Sequence, residues 1–237
     1  MVSHEVFIDW ITATQHHPAG GLPILIGGLV IWYDRSGNAR SERTSATSVG
    51  GSYDTTIRLG CDGSRVFLSG NPGRFARNDN LFNHGWQGTI EACNRILKQN
   101  GLPPFTASRG IPGQEDWRPG ARIHRLDVTA NFSTGSDAQA RAVIRWLSAQ
   151  SVARMKRGFS SDESVWWSNT RHMFKAYLKA HEMIHHGKEK QDQLVAWCLE
   201  QGIVRVEVEL KRCLLQELQL DSFDTITDER LQSVFVD

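Results

Sequence analysis

The sequence predicts an α+β protein, built from mostly antiparallel β-sheets with helices packed on one face and divided into two α+β halves. Three observations carry that prediction. The first third alternates short runs of β-branched and aromatic residues with turn clusters. Two later runs, Ile123 to Asn131 and Ile203 to Leu210, alternate apolar and polar residues strictly, the period of a half-buried strand. Around them, apolar residues recur at helical spacing in several segments.

Taken in order, Val6 to Thr14, Leu29 to Tyr33, Tyr53 to Leu59 and Arg65 to Ser69 read as strands of a meander. Ser36-Gly37-Asn38 and Cys61-Asp62-Gly63-Ser64 are the clearest turns, and Asp62-Gly63 between two strand-like runs signals a hairpin. After a Gly- and Asn-rich loop from Gly70 to Gly85, Ile90, Cys93, Ile96 and Leu97 place a helix over Gly88 to Gln99, and Asn100-Gly101 supplies its stop. Gly101 to Gly120 carries Pro103, Pro104, Pro112 and Pro119 among its glycines, a composition that suits an irregular connector. The expected division is a β-rich half at 1–105 closed by one helix, and an α+β half at 119–237 that carries the chemistry.

That second half reads as strand (Arg122 to Phe132), helix (Ser136 to Ser151), strands (Ser164 to Thr170 and His172 to Lys179), helix (Lys190 to Gln201) and strand (Ile203 to Leu210). A short amphipathic helix follows at Thr227 to Val234. Ser136 with Gln139 forms a helix cap ahead of Ala140, Val143, Ile144 and Leu147.

Composition excludes several classes. With 237 residues, 40% hydrophobic and 22% charged, the chain is neither fibrous nor low-complexity. A net charge of +1 argues against generic coating of polyanions, so any nucleic-acid site must be local. Cys61, Cys93, Cys198 and Cys213 lack a C-x-x-C pair and read as buried or inert thiols. The N-terminus has no signal-peptide pattern. Its most apolar stretch, Gly21 to Trp32, falls well short of the roughly 20 residues that span a bilayer. A cytoplasmic protein with no membrane segment is expected. No phosphate-binding G-x-x-x-x-G-K-[ST] loop occurs, so no ATPase is visible.

The alternating strands gather the chemistry. Arg125, Asp127, Thr129 and Asn131 share one face of their strand, and Arg205, Glu207 and Glu209 share one face of theirs. Lys175, Tyr177 and Lys179 share a face if their segment is extended. Tyr177 would then stand between two ammonium groups, which favour the phenolate, and a phenolate can attack a phosphodiester. Asp127, Glu182 and Glu207 offer hard oxygen ligands suited to Mg²⁺ or Mn²⁺, with Lys179 or Arg205 to neutralise a non-bridging oxygen. Glu182 has the wrong parity for a regular strand and reaches the site only if the chain turns after Lys179. His181, His185 and His186 are a second place for a metal; their other reading is a polar turn into Gly187.

At Ile8-Asp9-Trp10, Ser69 to Pro72, Asn80 to Asn83, His124 to Thr129, Tyr177 to Glu182 and Arg205 to Leu210, the sequence resembles the replication initiation proteins of filamentous bacteriophages, the gene II and X protein family. That family is similar in turn to the rolling-circle initiators of small plasmids. The resemblance implies an endonuclease that nicks one strand of single-stranded or supercoiled origin DNA, keeps the 5′ phosphate on a tyrosine and later rejoins the strand, in the cytoplasm of a bacterial host with a host helicase as partner. It implies Tyr177 as nucleophile, Lys179 as its electrostatic partner, Asp127, Glu182 and Glu207 as metal ligands, and Glu209 as a less favoured one. Arg125, Lys175 and Arg205 are expected to contact DNA. Further positive charge comes from Arg122, Arg154, Lys156, Arg157, Arg171, Lys211 and Arg212, with Arg74, Arg77, Phe75 and Phe82 in the Gly/Asn-rich loop. Of Trp166 and Trp167, at most one can stack on bases, since neighbours on a strand face opposite ways. The alternative is a non-catalytic DNA-binding regulator of phage or plasmid replication with the same fold.

Overall fold

The computed structural model describes residues 5–52, 55–79, 81–114, 116–158, 161–186 and 192–236. Tyr53, Asn80, Gly187 and Lys190, which enter the sequence expectations, lie outside them.

The first half runs β1 (Phe7–His16), β2 (Ile24–Leu25), β3 (Gly28–Tyr33), β4 (Ala39–Ser45), β5 (Thr47–Gly50), β6 (Thr56–Asp62), β7 (Arg65–Gly70) and α1 (Trp86–Gln99). The second runs β8 (Arg122–Ser133), α2 (Asp137–Ser148), β9 (Lys156–Arg157), β10 (Ser164–Ser168), β11 (His172–Leu178), α3 (Lys179–His186), α4 (Asp192–Gln201), β12 (Ile203–Lys211), α5 (Arg212–Glu217) and α6 (Asp228–Val236). The fold is α+β, as its sequence predicts.

Ten strands form one antiparallel sheet in the order β2-β6-β7-β1-β8-β12-β11-β10-β9, with β5 also on β6. The hairpin expected at Asp62-Gly63 joins β6 to β7: Gly63 takes φ +95°, and Asp62 Oδ1 accepts from the N–H groups of Ser64 and Arg65. Chain order is not kept, however, since β1 lies between β7 and β8 and so joins the two halves edge to edge. β3 and β4 form a separate ribbon closed by the turn at Ser36-Gly37-Asn38, where Asp34 Oδ1 accepts two backbone N–H bonds. β4, Ala-Arg-Ser-Glu-Arg-Thr-Ser, has no apolar alternation and was not legible as a strand.

Register decides which residues share a face. Ala130, Val206, Ala176 and Val165 are successive cross-strand partners from β8 to β10, and Leu126 pairs with Ile11 and Leu210. α1, α5 and α6 pack on this apolar face through Cys93, Ile96, Leu97, Leu215 and Leu231. α2 covers its far end with Ala140 and Ile144 against Val165, Trp167 and Leu178. Each fully buried aliphatic side chain contributes about 1.5–3 kcal/mol, so this face holds the molecule together. Ser136 caps α2 by accepting from the Gln139 N–H, as its spacing predicts.

One expected strand ends early. The His172-to-Lys179 segment stops at Leu178 and turns into α3, because Ala180 and Met183, three apart, find a helical packing partner in Cys198 and Ile203. Cys61, Cys93 and Cys198 are buried free thiols, whereas Cys213 is exposed.

Candidate active site on the open face

The other face of the sheet carries the polar halves of the alternating strands. Tyr177 lies opposite Arg205, which lies opposite Asn131; Lys175 lies opposite Glu207, itself opposite Thr129; Glu209 faces Asp127, which faces Trp10. Four strands, β1, β8, β12 and β11, thus bring residues from Trp10 to Glu209 onto one surface.

Tyr177 Oη donates to Glu207 Oε1 at 2.5 Å. Lys175 Nζ lies 3.7 Å from the other Glu207 oxygen and 4.3 Å from the centre of the Tyr177 ring. Tyr177 is 5% exposed. Burial, with the Glu207 charge beside it, pushes its phenol well above the ordinary value, and Arg205 offsets only part of this. The expectation that flanking lysines favour the phenolate is therefore reversed: the nearest charged group to the hydroxyl is a carboxylate, which favours the phenol. A tyrosine in this setting needs a base to take its proton, and Glu207 holds that position.

Lys179 is fully buried and does not continue the Lys175–Tyr177 strand face. It starts α3, and its Nζ donates to Glu182 Oε2 at 2.7 Å, one helical turn on. The chain does turn after Lys179, as Glu182 required, but Glu182 then serves the lysine. Burial and the nearby Arg205 cation lower the Lys179 pKa against the pull of Glu182.

Asp127 is held bidentately by its strand neighbour Arg125, with Nε on Oδ1 at 2.8 Å and Nη2 on Oδ2 at 2.7 Å. The same Nη2 reaches Glu209 at 3.0 Å. Burial and the Glu209 and Glu207 charges raise Asp127 to about 6 despite Arg125. The predicted metal set therefore does not come together: Asp127 serves Arg125, Glu182 serves Lys179 and Glu207 serves Tyr177. No group of three His, Cys, Asp or Glu side chains among the described residues is placed to hold a metal ion. His181 contacts Asp137, Glu163 and Arg141, and His185 contacts Glu163, so these histidines belong to a polar cluster beside α2 and α3.

Arg205, expected at DNA, is instead fully buried. Nε donates to Asn131 Oδ1 at 2.9 Å, Nη1 to Asp9 Oδ2 at 3.2 Å and Nη2 to the Leu81 carbonyl at 2.5 Å. Burial works against this cation, but Asp9 and the other nearby anionic groups more than compensate, raising its pKa. Its role is to position the loop and strands around Tyr177.

Asp9, Asn71 and Asn83 went unassigned by sequence reasoning. Asn71 Nδ2 donates to Asp9 Oδ1 at 2.8 Å, and Asn83 Nδ2 donates to Asn71 Oδ1 at 2.8 Å. A Cβ on Gly73 would lie 1.6 Å from Asn83 Oδ1, so glycine there is what allows the approach. The Gly/Asn-rich loop is thus tied to β1 by the Asn71 and Asn83 amides and to β12 by the Arg205 guanidinium on the Leu81 carbonyl; the signal in the sequence is the polar Asp9 between Ile8 and Trp10. In the same loop Phe75 packs against the core, Phe82 is 56% exposed, and Arg77 is paired with Asp79.

Residues 8–229, which include every one of these site residues, match the family described as the N-terminal part of the phage replication-associated protein, the gene II protein. The chain belongs to that family. It is 32% identical over 197 residues to the replication-associated gene II protein of Escherichia phage If1, a match covering 70% of this chain and 60% of that relative. The chain therefore spans less than two thirds of the relative's length. Among solved structures it is similar to the rolling circle replication initiator protein from Geobacillus stearothermophilus, at 10% identity and a TM-score of 0.40, over 98% of this chain and 84% of that one. A likeness of that size decides neither fold nor function. No helix among the described residues is long and apolar enough to cross a membrane.

Proposed function

We propose that this chain initiates rolling-circle replication by nicking and rejoining one strand of origin DNA through Tyr177. The observation that carries the reading is the hydrogen bond from Tyr177 to Glu207, with Lys175 beside both. Membership of a replication-associated family accords with it.

In this reaction Glu207 takes the phenol proton as Tyr177 Oη attacks the scissile phosphorus. The P–O3′ bond breaks, the 3′ oxygen leaves as a hydroxyl with a proton from solvent, and the 5′ phosphate remains on the tyrosine. Lys175 neutralises charge on the non-bridging oxygens. Rejoining is the reverse: a 3′ hydroxyl attacks the phosphotyrosine and the phenol recovers its proton from Glu207. One ester replaces another at each step, so no nucleotide hydrolysis is required. Arg205, Asp9, Asn71 and Asn83 hold the surroundings rigid, and Lys179 with Glu182 anchors the start of α3. Arg125 is bound to Asp127 and Glu209 through Nε and Nη2 with its side chain 37% exposed, and contacts DNA through Nη1 with those bonds kept.

Participation of Mg²⁺ or Mn²⁺ is read from chelation, since no group of three His, Cys, Asp or Glu side chains among the described residues is placed to hold either ion. Single-stranded and supercoiled origin DNA, a host helicase and the host cytoplasm complete the proposal.

The test is to incubate the protein and Mg²⁺ or Mn²⁺, with and without EDTA, with single-stranded oligonucleotides tiling the origin. A denaturant-resistant protein–DNA adduct is expected, absent in Tyr177→Phe. Cleavage without an adduct would mean hydrolysis, and binding with no cleavage on any strand would make the chain a regulator; either sinks the proposal.

A further inference from the structure

The open face carries a large aromatic side chain that neither the core nor the Tyr177–Glu207 pair uses. Trp166 and Trp167 are neighbours on β10 and point to opposite faces. Trp167 is 5% exposed and packs under α2 with Ile144 and Leu178. Trp166 pairs across the strands with Lys175, which puts it on the face of Tyr177, half-buried. Tyr177 is its diagonal neighbour on β11, a position typically about 7–8 Å away.

The indole is supported from its edge strand. A Cβ on Gly158 would fall 2.0 Å from a Trp166 ring atom, so the ring rests directly on that backbone, and the Gly158 N–H donates to the Trp166 carbonyl at 2.9 Å. Lys156, exposed and opposite Ser168, lies on the same face beyond it. A second aromatic group, Trp10, stands on this face opposite Asp127, with the Arg125 guanidinium 5.2 Å from its ring centre. β1 and β10 are four strand spacings apart, about 19 Å.

We propose that Trp166 is a stacking platform for an unpaired base of the strand to be cut, next to the phosphate presented to Tyr177; its place beside the scissile phosphate rests on the nicking reading. An indole face accepts any base, but only one freed from its duplex neighbours, so the ligand is single-stranded DNA rather than duplex. Lys175, between indole and tyrosine, and Lys156, on the far side, supply the charge that follows the backbone. Glycine at 158 then has a functional reason: any side chain would lift the indole off its support.

The test uses a fluorescein-labelled oligothymidylate and the matching polymer without bases. Trp166→Ala weakens oligothymidylate binding about 5- to 150-fold, changes binding of the base-free polymer less than about 2-fold, and Trp166→Phe restores most of the loss. Retained binding of the base-free polymer shows that the variant is folded. Unchanged oligothymidylate binding in Trp166→Ala, or equal losses on both polymers, overturns the proposal. Neither polymer needs to be cut, so failure of the adduct assay and failure of the stacking assay are separate results.

Discussion

The two faces of β8 have different neighbours and different physics. Leu126, Val128 and Ala130 point under the helices and are at most 1% exposed, held by packing alone. Arg125, Asp127 and Asn131 point the other way, and each is fixed by directed bonds: Asp127 to Arg125, Asn131 to Arg205 and to the Leu81 carbonyl. The covered face tolerates hydrophobic side chains of the right volume. The open face requires particular atoms at particular distances, which is where chemistry can be placed. The difference also explains why burial alone does not mark the core here: Arg205 and Lys179 are as buried as Leu126.

The sharpest way to separate the faces is at Glu207. Glu207→Gln keeps the shape and a hydrogen-bonding oxygen for Tyr177 but removes the base, and adduct formation should slow by about 10²- to 10⁴-fold with thermal stability little changed. Loss of the Glu207 charge also lets the Tyr177 phenol ionise more easily, so the variant's rate should climb with pH where the wild type is flat. Equal rates in the two proteins would break the assignment.

Next in size, Arg205→Ala should cost about 3–5 kcal/mol, because it leaves the Asp9 carboxylate without its cation. Leu126→Ala on the covered face should cost a similar ~2–5 kcal/mol by opening a cavity. Urea denaturation measures both. A near-neutral Arg205 variant would mean that the directed bonds of the open face are dispensable for the fold.

The smallest effect concerns pH. Asp127 keeps its proton up to about pH 6 in the folded protein, against 3.8 for the unfolded chain. Between these values the folded state binds more protons, so this group makes stability fall as pH rises from about 4 to about 6. At about 1.4 kcal/mol per pH unit, the term is worth about 3 kcal/mol at most. Asp127→Asn should flatten that part of the stability profile, and an unchanged slope would assign it to another group.

Much of this was legible because strand parity is a local property. The alternation around Asp127 and Glu207 correctly places their shared face, Ser136 with Gln139 caps α2, and adjacent tryptophans divide between core and surface. The hold of Arg125 on Asp127 could also have been read, since residues two apart on a strand share a face. The Asp9–Arg205 pair could not: its members are 196 residues apart and meet only because β1 inserts between β7 and β8.

The sequence by itself determined the fold class, the two polar strand faces and the residue types they carry, because side-chain period and residue type are encoded residue by residue. Tertiary structure alone decided which of those groups act on one another. It made Glu207 the partner of Tyr177, gave Glu182 to Lys179 and turned Arg205 inward. Such pairings depend on register across strands and on which loop closes over them, and a carboxylate two strands away looks the same in sequence whether it meets a lysine, an arginine or a phenol.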